Sequence, residues 1–325
     1  MSDTDSFPSL PGDLPAGAPD PGARGAGGLA DSIPGVRDAD PARRFGGLDR
    51  LYGDGAWQAL SRLHVVVAGI GGVGTWCVEA LARSGVGSLT LVDMDHIAES
   101  NINRQAHALG STLGMSKTAA MAARVRDINP DCRVVEIDDF VEAGNIGDIL
   151  SGGPHGVLVD CTDQVAAKIA MILQARARGW PLLSCGGAGG KTDPLALRAG
   201  DLSAATHDAL LGRIRQELRQ RHGYPKGGAA GGKPRRRVPR MGVACLWLDQ
   251  PVILPSAWTQ AAPDPVALVS AAAGTVPGPS GSEAPAMPAA PQGLSCAGYG
   301  SIVTVTAAMG LAAADWAVRQ GLARK

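Results

Sequence analysis

From His64 onward the chain alternates short apolar runs with longer stretches of helical period. His64-Val65-Val66-Val67-Ala68 and Ser88-Leu89-Thr90-Leu91-Val92 read as strands, separated by a helical stretch from Thr75 to Ser84. A helix is predicted from Ser116 to Asn129 and a strand from Arg133 to Ile137. Gly156 to Asp160 follows as a strand, Val165 to Arg178 as a helix and Pro181 to Ser184 as a strand. The strands are apolar along their length rather than alternating, as in a sheet buried on both faces. Strands that take turns with helices predict a mainly parallel, Rossmann-like α/β sheet with helices on both faces.

The flanks lack this pattern. Residues 1 to 40 are rich in Pro, Gly, Asp and Ala without hydrophobic period and read as a disordered tail. Residues 256–293 repeat that composition and read as a flexible Pro/Ala-rich insertion within a domain running from 41 to 325. Ile302 to Ala314 is uncharged and apolar but falls short of the roughly 20 residues that cross a bilayer. It is expected to be a core helix, with weak membrane association as the alternative. The acidic, Pro-rich start is not a secretory signal, so a cytoplasmic protein is expected.

The formal net charge is zero, but ten of the 30 Lys and Arg residues lie between Arg213 and Arg240. Arg213 to His222 reads as a basic helix and Lys226 to Arg240 as a basic loop. Such a segment suits sequence-independent contacts to nucleic-acid phosphates, and a solvated loop is the plainer alternative. Six cysteines stand at 77, 132, 161, 185, 245 and 296, none in a Cys-x-x-Cys pair, so no structural zinc is expected.

Candidate chemistry starts at Gly69-Ile70-Gly71-Gly72-Val73-Gly74, between the first strand and its helix. In that context Gly69 permits the turn, Gly71 and Gly72 admit a phosphate, Gly74 lets helix and strand pack, and the helix N-terminus attracts the anion. Asp93 ends the second strand where an acid meets ribose hydroxyls. NAD and ATP both fit so far. Arg104 and Lys117 favour ATP, because two cations suit a phosphate chain and the charge of departing pyrophosphate. Asp163, beyond the Gly156 strand, is placed to hold Mg2+ on the phosphates.

Together, the glycine turn, Asp93-Met94-Asp95, Ser100-Asn101-Ile102-Asn103-Arg104-Gln105, Gly114-Met115-Ser116-Lys117 and Asp160-Cys161-Thr162-Asp163 resemble the ubiquitin-activating-enzyme superfamily, which includes the thiamine and molybdopterin adenylyltransferases. The resemblance implies an adenylation domain in which Gly71, Asp93, Asp95, Ser100, Asn101, Arg104, Lys117 and Asp163 bind ATP and Mg2+. It implies a homodimer in which an upstream arginine, Arg50 first and Arg44 second, reaches the partner's phosphates. Arg44-Phe45-Gly46-Gly47, Arg50-Leu51-Tyr52-Gly53, Asp138-Asp139-Phe140-Val141, Gly186-Gly187-Ala188-Gly189-Gly190 and Ser295-Cys296-Ala297-Gly298-Tyr299-Gly300 resemble one branch, the tRNA threonylcarbamoyladenosine dehydratases. That branch implies a tRNA substrate whose threonine carboxylate is adenylated and then closed to a hydantoin by the carbamoyl nitrogen. The rival reading adenylates the C-terminus of a sulfur-carrier or ubiquitin-like protein, with a sulfur-transfer accessory partner. Cys245, and less so Cys185, would then be the thiols to watch.

Overall fold

The protein is described from a computed structural model, which covers residues 39–151, 156–227, 238–255 and 299–323. The expected insertion, Cys296, Lys233 and Arg235 to Arg237 lie outside these residues, as does the expected tail up to residue 38.

Seven strands form one sheet: β1 (His64–Ala68), β2 (Ser88–Val92), β3 (Arg133–Ile137), β4 (Gly156–Asp160), β5 (Leu182–Cys185), β6 (Leu197–Asp201) and β7 (Ala244–Leu248). Their order is β3-β2-β1-β4-β5-β7-β6. All neighbours are parallel except β6, which runs antiparallel to β7 at the edge. The predicted parallel sheet is borne out, and the first four strands have the predicted bounds. The order reverses between β1 and β4, and at such a switch point the loops beyond the strand ends part to leave a crevice.

Nine helices were assigned among the described residues: α1 (Pro41–Phe45), α2 (Gly47–Tyr52), α3 (Ala56–Ser61), α4 (Gly74–Arg83), α5 (Lys117–Ile128), α6 (Ile146–Ile149), α7 (Val165–Arg178), α8 (Ala209–Arg221) and α9 (Val303–Leu322). Alternation along each strand splits the core between two faces. Val65 and Val67 pack with α4, α5 and α9, whereas Val66 and Ala68 pack with α6 and α7. A third cluster joins α8 to Cys245 and Trp247 of β7.

The C-terminal helix is a core helix. α9 buries Val305, Met309, Ala313 and Ala317. A Cβ on Gly310 would fall 2.4 Å from the Val73 carbonyl oxygen, so glycine lets α9 lie directly on the start of α4. Among the described residues no helix is long and apolar enough to cross a membrane.

One buried titratable group lies behind α4. His107 is 1% exposed, its Nδ1 2.9 Å from Thr75 Oγ1. Burial, reinforced by Lys117 and Arg124, lowers its imidazole from 6.5 to about 4. Between those values the unfolded chain takes up a proton that the native imidazole refuses. Stability should therefore fall as pH drops through this window, by up to about 1.4 kcal/mol per pH unit, and level off below it. Denaturant titrations of wild type and His107→Gln from pH 4 to pH 7 should show a shallower acid slope in the variant; parallel curves would assign the slope elsewhere.

Candidate active site

The crevice at the switch point is a cleft of about 410 Å³. Of the expected set, Gly69, Gly71, Gly72, Asp93, Asp95, Ser100, Asn101, Arg104, Lys117 and Asp163 line it; Gly74 and Arg50 do not.

The glycines divide the work. Gly69 has φ 85°, and a Cβ there would meet the Cys161–Thr162 backbone at 2.9 Å. A Cβ on Gly74 would fall 1.8 Å from the Gly69 carbonyl oxygen. These two make the turn sterically feasible. Gly71 differs, because a Cβ there would meet nothing within 4 Å. Its missing side chain leaves room for a ligand against the backbone. α4 begins without a side-chain cap, so its first amides and dipole are offered to that space.

On one side of the turn stand the acids. Asp93 Oδ2 accepts from the Ile70 amide at 2.6 Å and Oδ1 from the Asp95 amide at 2.9 Å. Asp93 therefore braces the glycine turn itself, beyond the ribose contact expected of it. Lys117, at the first residue of α5, is 5% exposed. Its Nζ donates to Asp95 Oδ2 at 2.6 Å and lies 3.9 Å from Asp93 Oδ1. Burial pushes the Asp93 carboxyl above its ordinary range against the pull of Lys117.

Arg104 approaches from the loop after β2. Its guanidinium donates to the Ser100 carbonyl at 2.7 Å and to Asn103 Oδ1 at 3.0 Å, while its carbonyl accepts from Trp76 Nε1 at 3.0 Å. Asn101 Oδ1 accepts from the Ala98 amide at 3.0 Å, closing the turn that carries Ser100. Gln105, the last residue of the Ser100-to-Gln105 motif, also belongs to the cleft. It is 5% exposed, and its Oε1 has no hydrogen-bond partner among the described residues.

Asp163 is an exposed carboxylate on the opposite wall, three residues past the end of β4. It is positioned by a buried network that pattern reading missed. Asp160 Oδ1 accepts from the Thr162 amide at 3.1 Å and hydroxyl at 2.8 Å. Asp160 Oδ2 accepts from Lys168 Nζ at 3.0 Å and Ser184 Oγ at 2.7 Å, and Lys168 Nζ also donates to the Cys185 carbonyl at 2.7 Å. Both side chains of the ion pair are 0% exposed. Lys168 sits on an apolar helix face, where sequence period gives no hint of a charge.

Other candidates take local duties. Arg44 donates to the Asp127 and Ile128 carbonyls at 3.2 and 2.6 Å, closing the end of α5. Arg50 is exposed on α2. Cys245 is buried within β7 and burial, first among causes, pushes its thiol up to about 12. Cys185 is buried with its Sγ 3.9 Å from that of Cys161. The basic helix is confirmed as α8, but its charges divide. Arg215 donates to the Leu202 and Ala205 carbonyls and Arg219 to that of Pro225, whereas Arg213 and Arg221 are exposed.

The model of the ThiF family matches residues 47–322. The chain belongs to the ThiF family. Among relatives of this ThiF-family chain, the tRNA threonylcarbamoyladenosine dehydratase of Escherichia coli K12 is 36% identical over 283 residues, covering 87% of this chain and 94% of that protein. The Haemophilus influenzae protein of the same name is 41% identical over 66% of this chain and 78% of its own length. The Escherichia coli molybdopterin-synthase adenylyltransferase is 30% identical over 39% of this chain and 50% of that protein. The crystal structure of the Escherichia coli dehydratase in complex with ATP has a TM-score of 0.68 and 33% identity, covering 87% of this chain and 95% of that one. The branch resemblance read from the motifs is thus borne out.

The buried pair gives a direct test. Lys168→Met should leave the Asp160 carboxylate uncompensated and destabilise the fold by about 3–5 kcal/mol, whereas pairing it with Asp160→Leu should recover much of the loss. Urea unfolding of the three proteins measures this, and a single variant within about 1 kcal/mol of wild type would refute it.

Proposed function

We propose that this chain is an ATP-dependent tRNA threonylcarbamoyladenosine dehydratase. The observation that carries the reading is the match over 94% of a protein so named, 36% identical. The named structure in complex with ATP supports the nucleotide, and the residues read from separate motifs meet around one cleft.

In this reading the nucleoside lies toward Asp93, at the end of β2, and the phosphates lie over Gly71 at the α4 N-terminus. Arg104 and Lys117 neutralise the phosphate chain, with Lys117 turning from Asp95 toward the ligand. The substrate carboxylate attacks the α-phosphate, forming an acyl-adenylate and releasing pyrophosphate. The carbamoyl nitrogen of the same substrate then attacks the activated carbonyl, the hydantoin ring closes, and AMP leaves. Because the nucleophile is tethered, the protein's task is positioning and exclusion of water. The site fits Mg2+ through Asp163, an exposed carboxylate on the cleft wall that offers the hard oxygen donor magnesium takes beside nucleotide phosphates. When bound, the ion would add charge stabilisation on the phosphates, with Asp163 as its protein ligand.

The same reading covers what the cleft leaves over. Arg50 is exposed and does not line its own cleft, which suits a homodimer in which it serves the partner's phosphates. The basic surface of α8 suits tRNA in a cytoplasmic enzyme of ligase-like chemistry. Activation of a sulfur-carrier protein, with a sulfur-transfer accessory partner, is the weaker reading: the named adenylyltransferase matches only 39% of the chain, and Cys245 is buried away from the cleft.

Two measurements test this. Arg104→Ala should keep the melting temperature but lower AMP formation on threonylcarbamoyladenosine-containing tRNA by about 100-fold or more, the scale of one lost contact to a developing anion. Near-normal turnover would misplace the phosphates. Arg213→Ser with Arg221→Ser should weaken tRNA binding and flatten its log–log salt slope by about 0.7–0.9 per lost phosphate contact, with ATP affinity unchanged. An unchanged slope would make α8 an ordinary solvated helix, and AMP release without any tRNA dependence would favour the carrier-protein reading.

A further inference from the structure

The cleft does not end at its β5 wall. Gly187 and Leu210 border both the cleft and a small pocket beside it. His207, Asp208 and Tyr299 close that pocket. Lys191 and Tyr299 in turn border both the small pocket and an outer groove of about 510 Å³, whose floor includes Ile253, Leu254 and Ile302. The small pocket beside His207 thus lies between the cleft and the outer groove and shares walls with both. The exposed surfaces of Ile253, Leu254 and Ile302, at 52, 50 and 46%, make the outer groove apolar on one side.

The wall of the small pocket is fixed by its own hydrogen bonds. Among the described residues His207 is the only non-glycine residue with positive φ, 53°, a conformation that costs energy and persists only where its surroundings fix it. Here Lys191 Nζ donates to the His207 carbonyl at 2.8 Å and Thr206 Oγ1 to Asp249 Oδ1 at 2.5 Å. Asp208 does two jobs: Oδ2 accepts from the Gly187 amide at 2.9 Å and Oδ1 from the Leu211 amide at 2.9 Å. It ties the wall of the cleft to the first turn of α8, so the small pocket lies at the root of the basic helix.

We infer that the small pocket is a passage for the acid arm of the substrate and that the outer groove seats its purine base against the Tyr299 ring. This rests on the dehydratase reading. The strand order supplies the direction. With the nucleoside of ATP at the β2 end and its phosphates over β1, as proposed above, the β4–β5 side is left for the substrate, and the small pocket lies beyond β5. The dimensions supply the ligand class. A planar base carrying a carboxylate on a short, slender arm needs a broad seat, a narrow channel and a reaction chamber in that order. A base flipped from an RNA loop stacks on an aromatic ring whatever its hydrogen-bonding edge. Arg213, one turn into α8, is exposed and could serve the flanking phosphates.

An anticodon stem-loop RNA carrying the modified adenosine tests the seat. In Tyr299→Leu its KM should rise about tenfold or more, the effect of losing one base stack, with ATP affinity by calorimetry and kcat at saturating RNA little changed. Tyr299→Phe should restore the wild-type KM, because the ring and not its hydroxyl is used. A wild-type KM in Tyr299→Leu, or a loss in Tyr299→Phe equal to that in Tyr299→Leu, overturns the seat while leaving the dehydratase reading intact. A wild-type enzyme that releases no AMP with this RNA overturns that reading, and the seat with it. A Tyr299→Leu protein with impaired ATP binding would show a structural role for the ring and would also count against the seat.

Discussion

The Asp160–Lys168 pair holds together the half of the molecule that the cleft depends on. Both charges are removed from water, a state that is costly unless every donor and acceptor is matched. Here Lys168 reaches Asp160 at the end of β4 and the carbonyl of Cys185 at the end of β5, while Ser184 and Thr162 take up the remaining carboxylate lone pairs. One ammonium thus fixes α7 against two strand ends and sets the loop from which Asp163 projects. Packing alone tolerates small slips; a fully satisfied charge network does not.

A second electrostatic arrangement governs the opposite wall. Lys117 is buried between Asp93 and Asp95, and Asp93 also receives the amide of Ile70 in the glycine turn. The turn, the acid and the cation therefore form one unit. Without a ligand the lysine's charge is already balanced, so the cleft need not hold a bare buried cation. A phosphate chain would replace Asp95 rather than fill a void, which favours ligands bringing enough negative charge to compete with a carboxylate. A glycine-rich turn alone, as in a dinucleotide fold, makes no such demand.

Much of this was legible in the chain. Runs such as Val65-Val66-Val67 are apolar on both faces and fix a buried parallel strand to the residue. The glycine turn and the motif spacing brought Arg104, Lys117 and Asp163 to one cleft because each follows a strand end, where chain order dictates position. What escaped has physical causes. β6 carries Arg198 and exposed positions at the sheet edge, so its pattern is not that of a core strand. Lys168 looks like any helical lysine until its burial is known. Asn101 lines the cleft as expected while its side-chain oxygen also accepts from the Ala98 amide, a structural duty the motif does not announce, and the basic run from Arg213 divides into exposed and structural arginines only once backbone carbonyls are placed around it.

The last helix in chain order has a consequence for how the protein comes into being. Thr306 of α9 lies on the cleft wall, and the Asn103 side chain donates to the Ser301 carbonyl just ahead of that helix. The glycine turn, the acids and both cations are all synthesised well before α9 arrives to close them in. A growing or truncated chain would thus carry every motif of the site without its enclosure. Since adenylates are reactive and an open cleft would surrender them to water, protection of the intermediate waits on the arrival of α9.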